Sequence, residues 1–117
     1  MINGMHAIVY SQDAVATRDA LRRVLQTRSV DAGDGWLIFA LPPAEIAVHP
    51  ADEGGGAELY LMCEDVAATV AALRADGIEA ARPVSDQGWG LVTAITLPGG
   101  VELGLYQPRH PTALPSA

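Results

Sequence analysis

Hydrophobic residues in this chain switch between two spacings, and they do so twice. After Asp13 the apolar side chains Leu21, Val24 and Leu25 recur at helical intervals while Arg18, Arg22 and Arg23 fall elsewhere. The pattern predicts an amphipathic helix with Asp13 as its N-cap. A second helix is predicted from Asp65, with Val66, Val70 and Leu73 inward and Gly77 as its stop. Around the helices, apolar residues alternate with period two, the spacing of strands. In the first half these runs are 6–10, a short piece near Val30, 36–41 and 45–49, with Pro42-Pro43 as a turn. In the second half they are 58–63, 78–81, 91–97 and 101–106. Each half reads β-α-β-β-β.

Individual residues repeat along with the pattern, which makes the two halves copies of one plan. Ala16-Thr17 and Ala20-Leu21-Arg22 return as Ala68-Thr69 and Ala72-Leu73-Arg74, and Gly35-Trp36 returns as Gly88-Trp89. Glu45-Ile46-Ala47-Val48 matches Glu102-Leu103-Gly104-Leu105. The expectation is one α+β domain over 1–117: a first module 1–52, a linker 53–56, a second module 57–108 and a loosely held tail 109–117.

Strand alternation also sorts the faces. Leu59, Leu61 and Cys63, with Ala7 and Val9 as counterparts, form a row expected to lie under a helix, and Ile46, Val48, Leu103 and Leu105 are core-like. The opposite face carries Glu58, Tyr60 and Met62 on one strand, Glu102, Gly104 and Tyr106 on another, and Glu45, Ala47 and His49 on a third. A face that mixes His, Glu, Tyr and Met suits a concave ligand surface better than a solvated sheet. Trp36 and Trp89 are expected to be packing anchors and Cys63 a buried, inert thiol.

Composition then removes whole classes of chemistry. Seven basic residues against 14 acidic ones give a net charge of −7, which argues against a nucleic-acid partner, since such binding relies on clustered Lys and Arg. All the basic residues are Arg, so Schiff-base catalysis and a P-loop lysine are excluded. The single cysteine makes no internal disulfide, and the opening residues lack the basic flank and apolar run of a secretion signal, so a cytoplasmic location is expected. No apolar stretch reaches the roughly 20 residues that cross a bilayer, so no membrane partner is expected.

Two β-α-β-β-β modules in a chain of this length resemble the vicinal oxygen chelate superfamily, which includes glyoxalase I, bleomycin-resistance proteins, fosfomycin-resistance enzymes and extradiol dioxygenases. The resemblance spans 5–108. It is carried by Met5-His6-Ala7-Ile8-Val9, by the run from Glu58 to Val66, and by Gly88-Trp89-Gly90 followed by Leu97-Pro98-Gly99-Gly100-Val101-Glu102-Leu103. It implies curved mixed sheets round a concave ligand cleft, helices on the outer face, and a homodimer. In metal-using members the ligands come from the start of each module's first strand and the middle of its last, positions held here by His6, Ala47, Glu58 and Gly104. Only His6 and Glu58 can bind metal, whereas a divalent site normally wants at least three protein ligands. The resemblance therefore implies a small organic ligand, bound without metal or other cofactor in a cleft lined by His6, Glu58, Tyr60, Met62, Glu102 and Tyr106. The alternative is a divalent-metal lyase, isomerase or dioxygenase with a shifted site at His6, Glu58 and Glu102. No residue is assigned a catalytic role.

Overall fold

Asp13 and Asp65 begin the two helices in the same way. In the computed structural model, which describes residues 6–45, 47, 50, 52, 53 and 58–114, the Asp13 carboxylate accepts a hydrogen bond from the Ala16 amide at 3.1 Å. Asp65 does the same for Ala68 at 3.0 Å. Each bond satisfies one of the amides that the first helical turn leaves without a partner. The helices run Ala14–Leu25 (α1) and Val66–Ala75 (α2). A second device holds α2: the side-chain oxygen of Gln107 accepts from the Val66 amide at 3.0 Å, tying the helix start to a neighbouring strand.

Among the described residues, six strands form two sheets. Ser29–Asp31 (β1) and Leu37–Phe39 (β2) pair antiparallel as a separate hairpin. Tyr60–Met62 (β3), Ser85–Asp86 (β4), Gly90–Leu97 (β5) and Val101–Pro108 (β6) form a mixed sheet in the order β3-β6-β5-β4, with β3 parallel to β6 and the other pairs antiparallel. Its centre is the long β5–β6 pair, in register from Gly90 opposite Pro108 to Leu97 opposite Val101.

One face of this sheet is the core. Ile95, Leu97, Val101, Leu103 and Leu105 are buried there against Val66 and Ile78, with Leu61, Cys63, Val70 and Leu73 packed round them. Ala20, Leu21 and Val24 of α1 join the same cluster, so the helix of the first half packs on the sheet of the second. The turn after β5 makes this fit. The Gln12 amide donates to the Gly99 carbonyl at 3.0 Å, and Thr17 Oγ1 donates to the Pro98 carbonyl at 2.7 Å. Gly99 has φ +84°, and a Cβ there would run into the Ser11 hydroxyl and lie 2.7 Å from the Asp13 nitrogen. Only glycine permits both that conformation and that approach.

The second half follows the expected course in part, with β3 shorter than the run 58–63 and β5 and β6 slightly longer than 91–97 and 101–106, and the first half departs from it. Residues 6–10 form no ladder, although Val9 packs on the core while Ile8 and Tyr10 point outward. The alternation is present, but no neighbouring strand among the described residues offers hydrogen bonds to it. The run 36–41 contracts to Leu37–Phe39. Of the run 45–49, Glu45 and Ala47 are not in a strand, and Ile46, Val48 and His49 lie outside the described residues. The run 78–81 contributes one isolated bridge, Ala80 to Ile95, and the edge strand forms later, at Ser85–Asp86. The sheets are not closed round a barrel. Among the described residues, no helix is long and apolar enough to cross a membrane.

Candidate functional site

Among the described residues, both helices pack on the core side of the mixed sheet and none covers its opposite face. Strand pairing places Val92, Ala94 and Thr96 of β5 beside Tyr106, Gly104 and Glu102 of β6 on this face, with Tyr60 of β3 next to Gly104. A cleft of about 470 Å³ opens here. Its walls include Ile8, Leu59, Val92 and Ala94 as apolar surface and Glu58, Tyr60, Arg82 and Glu102 as polar surface.

Tyr60 is one of the residues lining the cleft. Its ring lies against the bare backbone of Gly104: a Cβ at 104 would be 2.6 Å from Cε1 of the ring and closer still to Cδ1. The space that glycine leaves at 104 is filled by the protein's own phenol ring. Tyr60 Oη donates to Glu58 Oε2 at 2.8 Å. That hydrogen bond, then partial burial, then the Glu58 charge raise the Tyr60 pKa above its usual 10.0, so the phenol is neutral at pH 7.

Across the cleft, Arg82 Nη2 donates to Glu102 Oε2 at 2.8 Å. The segment bearing Arg82 is held to β5 by Thr93 Oγ1, which donates to the Arg82 carbonyl at 2.7 Å. Two carboxylates thus face one guanidinium, leaving the cleft with a net negative charge. Glu58 receives only the phenol proton of Tyr60 among the described residues.

An aromatic cluster adjoins the cleft. The rings of Tyr60, Trp89 and Tyr106 meet edge to face, with centroids 5.3 to 6.1 Å apart. This geometry is favourable for ring quadrupoles. Trp89 is 44% exposed. His110 stacks on Tyr106, centroids 6.0 Å apart and planes 27° from parallel. Burial, with the Glu45 charge behind it, raises the Tyr106 pKa.

Of the residues expected at the site, Glu58, Tyr60 and Glu102 line the cleft, and Tyr106 joins it through its ring contact with Tyr60. His6 and Met62 are not among the lining residues; His6 is exposed and Met62 half-buried. His6, Glu58 and Glu102 are not gathered into a metal-binding group, and no group of three or more His, Cys, Asp or Glu among the described residues is close enough to hold an ion. Leu59, expected under the helix, is 49% exposed and lines the cleft. It precedes the three-residue strand β3, so alternation no longer fixes where it points. Cys63 is half-buried on the core side, and burial raises its pKa, which keeps it a thiol. Arg82 and the role of His110 carried no sequence signal, since neither lies in a periodic run.

No protein-family model matches the sequence, and a search of curated proteins finds no match. Solved structures do match. TnmS3, an antibiotic binding protein from Streptomyces sp. CB03234, is 23% identical with a TM-score of 0.59, covering 89% of this chain and 99% of its own. TioX from Micromonospora sp. ML1 is 13% identical with a TM-score of 0.54, covering 95% and 100%. The integron cassette protein VCH_CASS1 from the V. cholerae mobile metagenome is 13% identical with a TM-score of 0.54, covering 89% and 98%. The chain shares its overall fold with these three proteins. At these identities the likeness concerns the fold alone.

Proposed function

We propose that the chain is a small-molecule-binding protein of the bleomycin-resistance type, which holds a planar aromatic cation in the open-face cleft without a metal ion. The observation that carries this reading is the cleft itself: a hollow of about 470 Å³ lined in part by Tyr60, with two carboxylates and one guanidinium among its lining residues. A flat ring stacks on exposed aromatic surface, and a positive charge is drawn to Glu58. The fold match to TnmS3, which binds an antibiotic, supports the reading. The two-ligand count at His6, Ala47, Glu58 and Gly104 supports binding without metal.

The working unit in this reading is a homodimer. The β1–β2 hairpin exposes Val30, Trp36 and Ile38, and the cleft exposes Ile8 and Leu59. Soluble monomers rarely leave such apolar surface open on two sides. A two-fold pair in which the hairpin of one protomer covers the cleft rim of the other removes both patches.

Titrating 9-aminoacridine, a planar aromatic cation, into protein carrying Trp36→Phe tests the reading through Trp89 fluorescence. Saturable quenching that is lost in Tyr60→Ala and weakened in Glu58→Gln is expected. Quenching unaffected by either substitution contradicts the cleft as the binding site.

A further inference from the structure

The chain continues past β6 in a segment that the sequence suggested would be loose, yet residues 109–114 are tied down at three points. The Arg109 amide donates to the Trp89 carbonyl at 2.9 Å, and its guanidinium pairs with Asp86 at 2.8 Å. His110 stacks on Tyr106 and places Nε2 3.3 Å from the phenol oxygen. The Ala113 amide donates to Glu45 Oε2 at 3.1 Å. The result is a strap across the aromatic end of the open sheet face.

Two features of this strap resemble a binding site in use. The first is the stacking of His110: a flat nitrogen heterocycle lies nearly parallel to the Tyr106 ring, within reach of its hydroxyl, whereas every other ring contact in the cluster is edge to face. The second is Glu45. Its Oε2 takes the Ala113 amide, but its Oε1 is buried with no hydrogen-bond partner among the described residues. A buried carboxylate oxygen left unpaired is costly, and a donor that reaches it gains a charge-assisted bond.

We propose that the Tyr106 face covered by His110 is a ligand subsite for a planar nitrogen heteroaromatic group bearing an N–H donor, occupied here by the chain's own imidazole. A ligand ring displaces His110, stacks on Tyr106 in its place, and donates to Glu45. The strap is then an internal competitor that leaves when the ligand arrives. This deepens the proposed function and rests on it, because the displaced face is continuous through Tyr60 with the cleft.

The test compares 9-aminoacridine affinity in wild type, His110→Ala and His110→Ala/Glu45→Gln, with amide hydrogen exchange at Ala113 in the wild type with and without the probe. Removing the competing ring should tighten binding by about three- to tenfold, the scale of one ring contact. The added Glu45→Gln should reverse that gain. Probe binding should also speed Ala113 exchange, as its bond to Glu45 opens. His110 lies outside the core, so melting of His110→Ala within a degree or two of wild type is expected and shows that the fold is intact. Binding that is unchanged or weaker in His110→Ala, with Ala113 exchange unaltered by the probe, overturns the subsite while leaving cleft binding in place. No binding by any of the proteins overturns both.

Discussion

The ring of Tyr60 rests on Gly104, and this contact decides how the cleft is shaped. Gly104→Ala puts a methyl into the ring, which must swing away and give up its edge-to-face contacts with Trp89 and Tyr106. We expect a loss of about 1–3 kcal/mol in a denaturant melt, as for other overpacked sites, together with a shift in Trp89 emission. Glu58 leaves a separate signature. Its hydrogen bond is the main cause of the raised Tyr60 pKa, so Glu58→Gln should move the Tyr60 ionisation down towards 10.0 in a 295 nm absorbance titration. The sign for stability follows: with the folded pKa above the unfolded one, the contribution of the phenol is present below the unfolded pKa and is lost as pH rises through the folded value. An unshifted titration would show that Glu58 does not engage the phenol. At this scale the sequence is informative where alternation is strict. Tyr60 of β3 and Glu102 of β6 line one cleft, with Glu58 just ahead of β3, whereas Arg82 sits in an aperiodic loop and no spacing announces it.

Helices were the most legible elements, because each carries its own start signal. Asp13 and Asp65 cap as their positions predict, and Thr17 and Thr69 repeat the same bond from hydroxyl to cap carbonyl at 2.8 Å. Asp65→Ala should cost about 1 kcal/mol in thermal or denaturant unfolding. Gln107→Leu should add a loss of similar size by orphaning the Val66 amide. The two losses should be less than additive if both act through fraying of one helix end. Strands depend on what lies beside them, and here the sequence misleads. The β5–β6 hairpin forms because a three-residue turn brings two apolar strands together, with Gly99 and Gly100 both at positive φ. The equally apolar run 6–10 joins no ladder among the described residues, because a strand needs a partner beside it and its own alternation does not say which segment that is.

The whole chain has a radius of gyration of 15.1 Å. A closed domain of this length should have about 13 Å. The excess goes with the β1–β2 hairpin, which forms a sheet separate from the mixed sheet, and the proposed dimer is tested by its mass. Light scattering at micromolar concentration should therefore give about twice the 12.2 kDa chain mass. Trp36→Glu, which charges the exposed hairpin face, should shift the protein towards monomer without unfolding it. A wild-type mass equal to one chain contradicts the dimer. The repeat of two modules in one chain, expected from the sequence, is not reproduced in detail, because residues of both helices join one core cluster on a single sheet.

The most direct test of a metal-free organic-cation cleft is a calorimetric titration of chelator-treated protein, first with 9-aminoacridine and then with Zn, Ni and Mn. We predict saturable binding of the acridine in the absence of metal, with an affinity that added divalent ions leave unchanged. Tight one-to-one metal binding that disappears in His6→Ala, or acridine binding that begins only after metal is added, would contradict it.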